Sequence, residues 1–325
     1  MKEKIYRGLN EIPHFSEGYI TIGNFDGLHL GHQEIINKLI SDSKGKNTIA
    51  ITFEKATSQI LHPESFRGYI FPQDFKNKAL SKMGIKYIVL LNFNEIASLS
   101  SQDFLNFIKS RIKSIHLYVG NDFKFGKNNH GNIYTLMKEE TKGSFSVTVL
   151  NKRCYKGIPI SSSIIRQEIS RGDLKMANTM LGRPYFITSE KIKGNGIGSK
   201  IGFPTINLKL NEQVIPESGV YFSLFYFKKR FFPSMTYIGK RPTLNGNTIH
   251  NETNILEFDG DFKTFRNGEK YTVLFLSKTR DEKKLNNLEE LQKIIYNDRK
   301  KVLELYTRYR KSMDEGSLRT ALFDN

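Results

Sequence analysis

The sequence predicts two domains: an α/β domain built on a parallel sheet, then a small antiparallel β-barrel followed by a helix. A chain of 325 residues exceeds one typical domain, which is the first observation in favour of two. The second is that apolar runs alternate with helical patterns as far as residue 184. The third is that β-runs follow one another closely from Tyr185 onward. We therefore predict domains at residues 1–184 and 185–312, with a tail at 313–325.

In the first domain, five short apolar runs predict strands, and three amphipathic patterns predict the helices that cover the sheet. The strands are predicted at 19–22, 48–53, 87–91, 117–119 and 146–150, and the helices at about 32–42, 76–83 and 101–112. Parallel sheets of this kind bind ligands beyond the carboxyl ends of their strands. The residues that follow the first of these strands are therefore candidate site residues.

In the second domain, five β-runs predict the strands of the barrel, at 185–192, 220–227, 231–238, 255–258 and 271–276. Few helical patterns interrupt these runs, which is typical of a separate β module. The helix after them is predicted from apolar residues at helical spacing. These are Leu288, Leu291, Ile294, Ile295 and Val302.

The residues from Gly23 to His32 read Gly-Asn-Phe-Asp-Gly-Leu-His-Leu-Gly-His and lie between the first strand and the first helix. A helix N-terminus offers free N–H groups and a positive dipole end, and glycine lets the backbone approach an anion closely. His29 and His32 are three residues apart, so both imidazoles would lie on one helical face and donate hydrogen bonds to one phosphate. Two surface histidines beside a capped helix are the alternative. The glycine-rich context favours a phosphate site.

Two further segments of the first domain have the composition of a nucleotide site. The loop at 118–131 carries three glycines with Phe123 and Phe125, which could grip a planar ring and a phosphate chain. Alternatively, both phenylalanines belong to the core. The serines at 161–163 precede a helix that contains Arg166, and hydroxyls, free amides and a planar guanidinium together suit a triphosphate. A serine N-cap alone is the simpler interpretation.

The segment 191–207 of the second domain contains four glycines and ends in the extended sequence Pro-Thr-Ile-Asn. Side chains two positions apart in an extended chain point the same way, so the oxygens of Thr205 and Asn207 could reach one Mg²⁺ or the phosphates around it. Because both oxygens are neutral, such an ion would depend on ATP for charge. A glycine-rich hairpin with Pro204 at its edge is the structural alternative.

Taken in chain order, these segments resemble the motifs of the bacterial bifunctional riboflavin kinase/FAD synthetase family. Gly23–His32 resembles the HxGH motif of nucleotidyltransferases, the residues from 119 resemble VGxDFxFG, 160–166 resemble ISSTxIR, and 194–207 resemble GxxxGxxLGFPTAN. The resemblance covers nearly the whole chain. It implies a Rossmann-like nucleotidyltransferase domain followed by a riboflavin kinase barrel. It also implies two reactions: riboflavin is phosphorylated to FMN with MgATP, and FMN is adenylated with a second ATP to FAD and pyrophosphate.

The resemblance also implies roles for individual residues. The catalytic residues would be His29, His32, Arg166 and Glu252, the last of which precedes the sequence Phe-Asp-Gly-Asp-Phe and would be the general base. ATP and its phosphates would be bound by Gly23, Asn24, Phe25, Asp26, Gly27, Gly31, Asp122, Ser161, Ser162, Ser163, Gly194, Gly198 and Lys200. The flavin would be bound by Phe123, Phe125, Arg280 and Glu282. Thr205 and Asn207 would hold Mg²⁺.

The first domain departs from the family pattern at three places. The residues after Thr52 and Phe53 lack the usual His-Pro, residues 66–74 differ from the usual Pro-Arg-Leu-Thr-Thr, and Ile164 stands where an Arg is common. An alternative function is therefore a monofunctional riboflavin kinase whose adenylyltransferase domain is impaired or silent.

Composition limits the remaining possibilities. Lys and Arg number 50 against 33 Asp and Glu, a net charge of +17, which attracts polyanions. A basic nucleic-acid-binding protein on a HIGH-like fold is thus a remote alternative, but the sequence has no basic stripe with interleaved aromatics. The single Cys154 and the absence of a signal or membrane-length apolar stretch predict a cytoplasmic protein without membrane contact. Riboflavin, FMN and ATP are the expected partners, and the sequence predicts no particular oligomer.

Overall fold

The computed structural model describes residues 4–141, 143–194, 196–243, 246–283 and 287–322. The chain divides into two compact units. The first takes in the described residues up to Phe66 and those from Gln73 to Ser162. The second takes in Arg67–Pro72 and the described residues from Ser163 onward. The second unit thus includes a short segment that lies within the first half of the sequence.

The first unit is an α/β domain on a parallel sheet, as predicted. Its strands are β1 (Lys4–Arg7), β2 (Phe15–Ile22), β3 (Thr48–Phe53), β4 (Tyr87–Leu91), β5 (Ile112–Gly120) and β6 (Phe145–Leu150). Among the described residues these six strands pair in the order β1-β4-β3-β2-β5-β6, and every pair is parallel. β1 was not predicted, because its side chains are largely exposed and form no apolar run.

Helices cover both faces of this sheet. They are α1 (Leu30–Ser43), α2 (Thr57–Leu61), α3 (Gln73–Lys82), α4 (Phe93–Ile96), α5 (Ser101–Arg111) and α6 (Ile133–Glu140). Alternate residues of β3 point to opposite faces: Ile49 packs with side chains of α5, and Ala50 packs with side chains of α1 and α3. A two-residue hairpin, β7 (Cys154–Tyr155) with β8 (Ile158–Pro159), follows the sheet.

The second unit is a closed antiparallel β-barrel, which confirms the predicted architecture. Two helices come first, α7 (Ser162–Ser170), which begins in the first unit, and α8 (Leu174–Leu181). The barrel strands are β9 (Tyr185–Ile192), β10 (Ile206–Leu208), β11 (Gly219–Phe227), β12 (Arg230–Thr243), β13 (Gly246–Ile255) and β14 (Lys270–Asp281), with the short helix α9 (Ile197–Lys200) between the first two. They close in the order β10-β13-β12-β11-β14-β9.

One predicted strand was wrong. The run at 255–258 is not extended, because β13 ends at Ile255 and Glu257 has a φ of 53°, in the left-handed region. The strand instead occupies the residues before it.

A long helix lies on the barrel wall and completes the predicted fold. α10 (Leu288–Arg310) contacts β11, β12 and β14, and buries Asp298, Val302 and Tyr306. A final short helix, α11 (Glu315–Leu322), follows it. In the described part of the chain, no helix has the length and apolar character needed to cross a membrane.

The segment Arg67–Pro72 is bonded into the barrel unit through its backbone. The Tyr69 N–H donates to the Glu212 carbonyl at 2.7 Å, and the Val214 N–H donates to the Tyr69 carbonyl at 2.9 Å. The buried amide of Gln213 donates to the carbonyl of Ile70 at 3.2 Å. These hydrogen bonds satisfy backbone groups of the segment and of residues 212–214, so the segment is a structural part of the second unit.

Candidate active sites

The first candidate site is the turn that joins β2 to α1, at the carboxyl edge of the parallel sheet. Phe25 and Leu28 adopt left-handed backbone angles, with φ of 50° and 40°. Asn24 holds the turn in place: its Oδ1 accepts from the Thr57 N–H at 3.0 Å, and its Nδ2 donates to Thr57 Oγ1 at 2.9 Å. Gly23 donates to the carbonyl of Ile51 at 3.1 Å. The turn is therefore anchored to the end of β3 and to the start of α2.

The two histidines of this turn lie against each other, as their spacing predicted. His29 is the N-cap of α1, and its ring stacks on that of His32 with centroids 3.6 Å apart. The His32 N–H donates to His29 Nδ1 at 3.3 Å. Because Nδ1 accepts, a neutral His29 carries its proton on Nε2, which makes that nitrogen a donor. The predicted Gly31 lies beside them, and a Cβ there would come within 3.3 Å of the His29 ring.

His32 has an unsatisfied polar atom at this site. Its Nδ1 is buried and has no hydrogen-bond partner within the described part of the chain. Burial, then the charges of His29 and Lys76, hold the pKa of His32 well below its ordinary value. A neutral imidazole with a buried, unpartnered nitrogen is an incomplete arrangement, since buried polar groups are nearly always hydrogen-bonded. A ligand that reaches this nitrogen would complete it.

Lys76 is a site residue that sequence reasoning missed. Its ammonium group donates to the carbonyls of Asn24 at 3.3 Å and Phe53 at 3.0 Å, and to Thr52 Oγ1 at 3.1 Å. The residue is only 6% exposed. Burial lowers the pKa of Lys76 to about 8, although the nearby Asp26 opposes the shift. The sequence does contain a sign of this burial: Lys76 lies three and four residues before Ala79 and Leu80, and so on the same face of α3 as these buried residues.

The remaining residues of the turn are positioned by packing and by one serine. Phe25 is buried and meets the His32 ring edge-on, with centroids 5.2 Å apart. Asp26 is buried, and its carbonyl accepts from Ser162 Oγ at 2.8 Å. Gly27 has a φ of 78°, which a residue with a side chain rarely adopts. Ser162 is therefore hydrogen-bonded to the turn.

The other members of the serine–arginine segment are distributed along α7. Ser161 precedes the helix and Ser163 lies in its first turn, exposed. Arg166 belongs to the second unit, where its Nε donates to the carbonyl of Gly68 at 3.0 Å. The segment Arg67–Pro72 thus positions the guanidinium that was predicted to bind phosphate.

The loop after β5 contains the predicted ring-binding phenylalanines, which stack on each other but differ in burial. Phe125 is 8% exposed and packs in the sheet core 6.0 Å from Phe104, measured between ring centroids. Phe123 stacks on Phe125 at 5.5 Å and is half-buried. Asp122 is exposed and forms an ion pair with Lys152 at 2.8 Å. The core placement of Phe125 corresponds to the structural alternative, and Phe123 is the ring that a ligand can reach.

The second candidate site is a row of side chains across five barrel strands. In register, Asn207 of β10 pairs with Glu252 of β13, which pairs with Tyr237 of β12. Tyr237 pairs with Val220 of β11, and Val220 pairs with Arg280 of β14. Residues that pair across antiparallel strands project from the same face. The barrel therefore brings Asn207, Glu252 and Arg280, which are distant in sequence, onto one wall.

A cavity of about 220 Å³ lies between this wall and α10. Glu252, Thr205 and Arg280 line it on the barrel side, and Leu291, Ile295 and Asp298 line it on the helix side. Its lining combines apolar side chains with a few charged and polar groups. Such a combination is typical of sites for small organic ligands.

Asp298 of α10 fixes the position of Arg280 and was not predicted. The Arg280 Nε donates to both carboxylate oxygens, at 3.0 and 2.9 Å, and Nη2 adds a third contact at 2.8 Å. The side chain of Asp298 is only 9% exposed. An acidic residue in the apolar stripe of α10, between Ile295 and Val302, was the available signal. The predicted Glu282 accepts from the hydroxyl of Tyr237 at the same wall.

The glycine-rich segment before β10 packs closely on the predicted metal ligands. A Cβ on Gly194 would lie 2.3 Å from Asn207 Nδ2, and a Cβ on Gly198 would lie 2.3 Å from the Phe203 carbonyl. Both glycines are therefore required by space. Lys200 ends α9 and is exposed. No cluster of three or more His, Cys, Asp or Glu side chains suited to a metal occurs in the described ranges. A cation here would take the neutral oxygens of Thr205 and Asn207.

Comparisons with known proteins give the family. A family model described as FAD synthetase matches residues 12–164, and one described as riboflavin kinase matches residues 181–306. The bifunctional riboflavin kinase/FMN adenylyltransferase of Bacillus subtilis (strain 168) is 30% identical over 304 residues, which cover 91% of this chain and 95% of that protein. The chain belongs to the bifunctional riboflavin kinase/FMN adenylyltransferase family.

A second relative and a solved structure also resemble this chain over most of its length. The protein of that name from Escherichia coli (strain K12) is 29% identical over 302 residues, covering 91% of this chain and 95% of the relative. A crystal structure described as a macrolide-efflux protein from Streptococcus pneumoniae superimposes with a TM-score of 0.80 at 27% identity, and covers 92% of this chain and 98% of that one. The predicted family, fold class and transferase class are thereby confirmed.

Proposed function

We propose that this chain catalyses two successive transfers to a flavin. The barrel unit phosphorylates the 5′-hydroxyl of riboflavin with MgATP to give FMN and ADP. The parallel-sheet unit transfers the adenylyl group of a second ATP to the FMN phosphate, giving FAD and pyrophosphate. The domain limits at 184 and 312 and a cytoplasmic location remain predictions from the sequence.

In the first reaction, Glu252 is the proposed general base. Its carboxylate lines the cavity from β13 and takes the proton of the ribityl hydroxyl as that oxygen attacks the γ-phosphorus of ATP. Phosphoryl transfer depends mainly on position and on charge, so a single well-placed carboxylate suffices. Arg280, oriented by Asp298, and Glu282 are the proposed flavin contacts.

The residues present fit a magnesium ion that arrives with ATP. Asn207 is the register partner of Glu252, and Thr205 lines the same cavity, so both neutral oxygens lie beside the proposed base. Mg²⁺ prefers oxygen ligands and commonly shares phosphate oxygens with a few protein groups. When bound, it neutralises charge on the transferring phosphates. Gly194, Gly198 and Lys200 are the proposed phosphate contacts on this side.

The observation that carries the kinase assignment is the register pair Asn207–Glu252. The pair supports the proposal because Glu252 lines the cavity and Asn207, its neighbour on β10, carries an amide oxygen of the kind that binds Mg²⁺. A carboxylate on a fully solvated loop would not have this neighbour. Phosphoryl transfer to an alcohol requires both groups within reach of one substrate.

In the second reaction, no protein nucleophile is needed. An oxygen of the FMN phosphate attacks the α-phosphorus of ATP, and pyrophosphate leaves. His29 and His32 are proposed to donate to the phosphates as negative charge accumulates, with Ser162 as a further donor. The phosphate-binding role of Arg166 stays a prediction from the sequence. The turn Gly23–Gly27, with Gly31, Asp122, Ser161 and Ser163, is the proposed binding surface for ATP. Phe123 and, less directly, the buried Phe125 would support the flavin ring.

A silent adenylyltransferase half is the second candidate, and it rests on the missing His-Pro after Phe53. Thr57 lies in the segment that departs from the family pattern. It nevertheless exchanges two hydrogen bonds with Asn24 of the phosphate turn. The departing segment therefore supports the turn rather than disrupting it, which favours an active second half.

The direct test is to incubate the purified protein with ATP, Mg²⁺ and either riboflavin or FMN, and to separate the flavins by chromatography. We expect FMN and then FAD from riboflavin, and FAD from FMN. FMN that accumulates without FAD would establish the monofunctional kinase. Failure to convert either flavin would refute the proposal.

A further inference from the structure

Lys76 is a buried cation at the adenylyltransferase turn that the proposed reaction does not yet use. It reaches the turn from α3, a helix that follows β3 in the sequence, whereas the turn precedes α1. Within the described ranges, its ammonium group donates to three neutral oxygens, those of Asn24, Thr52 and Phe53. A buried ammonium group without a directly bonded carboxylate is costly, since its desolvation is offset only by hydrogen bonds. A bound anion next to the ammonium group would offset this cost.

The hydrogen bonds of Lys76 connect three elements around the turn. Thr52 Oγ1 accepts from the ammonium group and donates to the Asn24 carbonyl at 3.2 Å, so one small network joins α3, the end of β3 and the turn. The Asn24 side chain meanwhile engages Thr57. Removing the ammonium group would take one of two side-chain donors from each carbonyl, leaving the Thr52 hydroxyl on Asn24 and the Gln73 amide on Phe53. The turn would then lose a fixed point next to the histidines.

The charged surroundings of Lys76 point in the same direction. Asp26, in the turn itself, favours the charged form of Lys76, and the charge of Lys76 helps to keep His32 neutral. His29 also acts on His32. The turn and Lys76 thus bring together one buried carboxylate, two stacked imidazoles and one buried ammonium group. In this set the ammonium group is the charge that attracts a polyphosphate.

We propose that Lys76 is a positioning residue for adenylyl transfer: its ammonium group holds the Gly23–Asp26 turn in its binding shape and supplies positive charge to bound ATP phosphates. This inference rests on the proposed adenylyltransferase function of the same unit. It adds a residue of α3 to a site otherwise built from the β2–α1 turn and the serine segment. Because the charge is buried, it acts with little screening by solvent.

The test compares Lys76→Met with Lys78→Met, a control on the same helix whose side chain is exposed. FAD formation from FMN is measured over a range of ATP concentrations at pH 7.5. We expect Lys76→Met to lower kcat/KM for ATP by about 10- to 100-fold, the range for losing hydrogen bonds to a charged group. Lys78→Met stays within twofold of the wild-type protein. Riboflavin phosphorylation by each variant, together with circular dichroism, verifies that the protein has folded.

A second measurement is made first on the wild-type protein. In the wild-type protein, kcat/KM for ATP in FAD formation should fall as pH rises from 7.5 to 9.5, because Lys76 loses its proton with a pKa of about 8. Lys76→Arg keeps its charge at every pH and should lack this fall.

The results separate the inference from the function on which it rests. A wild-type profile without the alkaline fall, or a Lys76→Met variant within twofold of wild type, would overturn the role of Lys76 alone. A wild-type protein that makes no FAD at any pH would overturn the adenylyltransferase function, and this inference with it.

Discussion

The ion pair between Arg280 and Asp298 gives the most quantitative prediction for the barrel unit. It contains three donor–acceptor contacts of 2.8 to 3.0 Å and joins the cavity wall to α10. Replacing Asp298 with alanine leaves Arg280 without its carboxylate. Breaking a fully buried pair costs about 3–5 kcal/mol. Because the Arg280 side chain is 28% exposed, water replaces part of the loss, and we expect about 2–3 kcal/mol.

This loss corresponds to a roughly 30- to 150-fold change in the unfolding equilibrium constant. Urea unfolding followed by circular dichroism measures it, and Glu304→Ala, at an exposed position of the same helix, is the matched control. The KM for riboflavin should also rise by about 10-fold or more, because α10 supplies one wall of the cavity. Asp298→Ala with unchanged stability and unchanged KM would refute the inference that this pair holds the helix on the site.

Three further predictions concern Gly68, the magnesium ion and Lys76. Gly68→Ala should lower the free energy of unfolding by about 2 kcal/mol or more in urea, because φ is 108° and the new Cβ would lie 2.7 Å from the Glu212 carbonyl. Excess EDTA should abolish formation of both FMN and FAD, and added Mg²⁺ should restore both; turnover in EDTA would contradict the metal assignment. Between pH 8 and 10.5 the unfolded chain keeps the Lys76 proton and the folded chain loses it. The free energy of unfolding of the wild-type protein should therefore rise by about 1 kcal/mol per pH unit in this range, relative to that of Lys76→Met. An equal pH dependence in the two proteins would contradict the burial of that charge.

Elements with strong local patterns could be predicted from the sequence. The strands at 48–53 and 87–91 were predicted with their observed limits, because strands buried on both faces are continuous apolar runs. β1 was missed because it is short and exposed. The strand predicted at 255–258 was displaced, because apolar residues after Ile255 belong to a turn that only the backbone angles reveal.

The candidate sites divide in the same way. That His29 and His32 lie on the same side of the helix start follows from their three-residue spacing and could be predicted, whereas the stacking of their rings is seen only in the structure. The roles of Lys76 and Asp298 depend on which elements each helix packs against. The local pattern shows only that a charged residue lies on an apolar helix face, and not what it contacts. The same holds for the segment Arg67–Pro72, which packs with a unit that begins about a hundred residues later. Tertiary contacts of this kind need the fold itself.

The most direct test of the account is whether the two activities can be removed separately in one chain. Glu252→Gln and His32→Asn are each assayed for conversion of riboflavin to FMN and of FMN to FAD. We predict that Glu252→Gln lowers the first rate by about 100-fold or more and retains the second, and that His32→Asn does the reverse. Glu257→Gln, an exposed carboxylate near Glu252, should leave both rates unchanged. A substitution at either site that lowers both rates equally, or neither, would contradict the assignment of two sites.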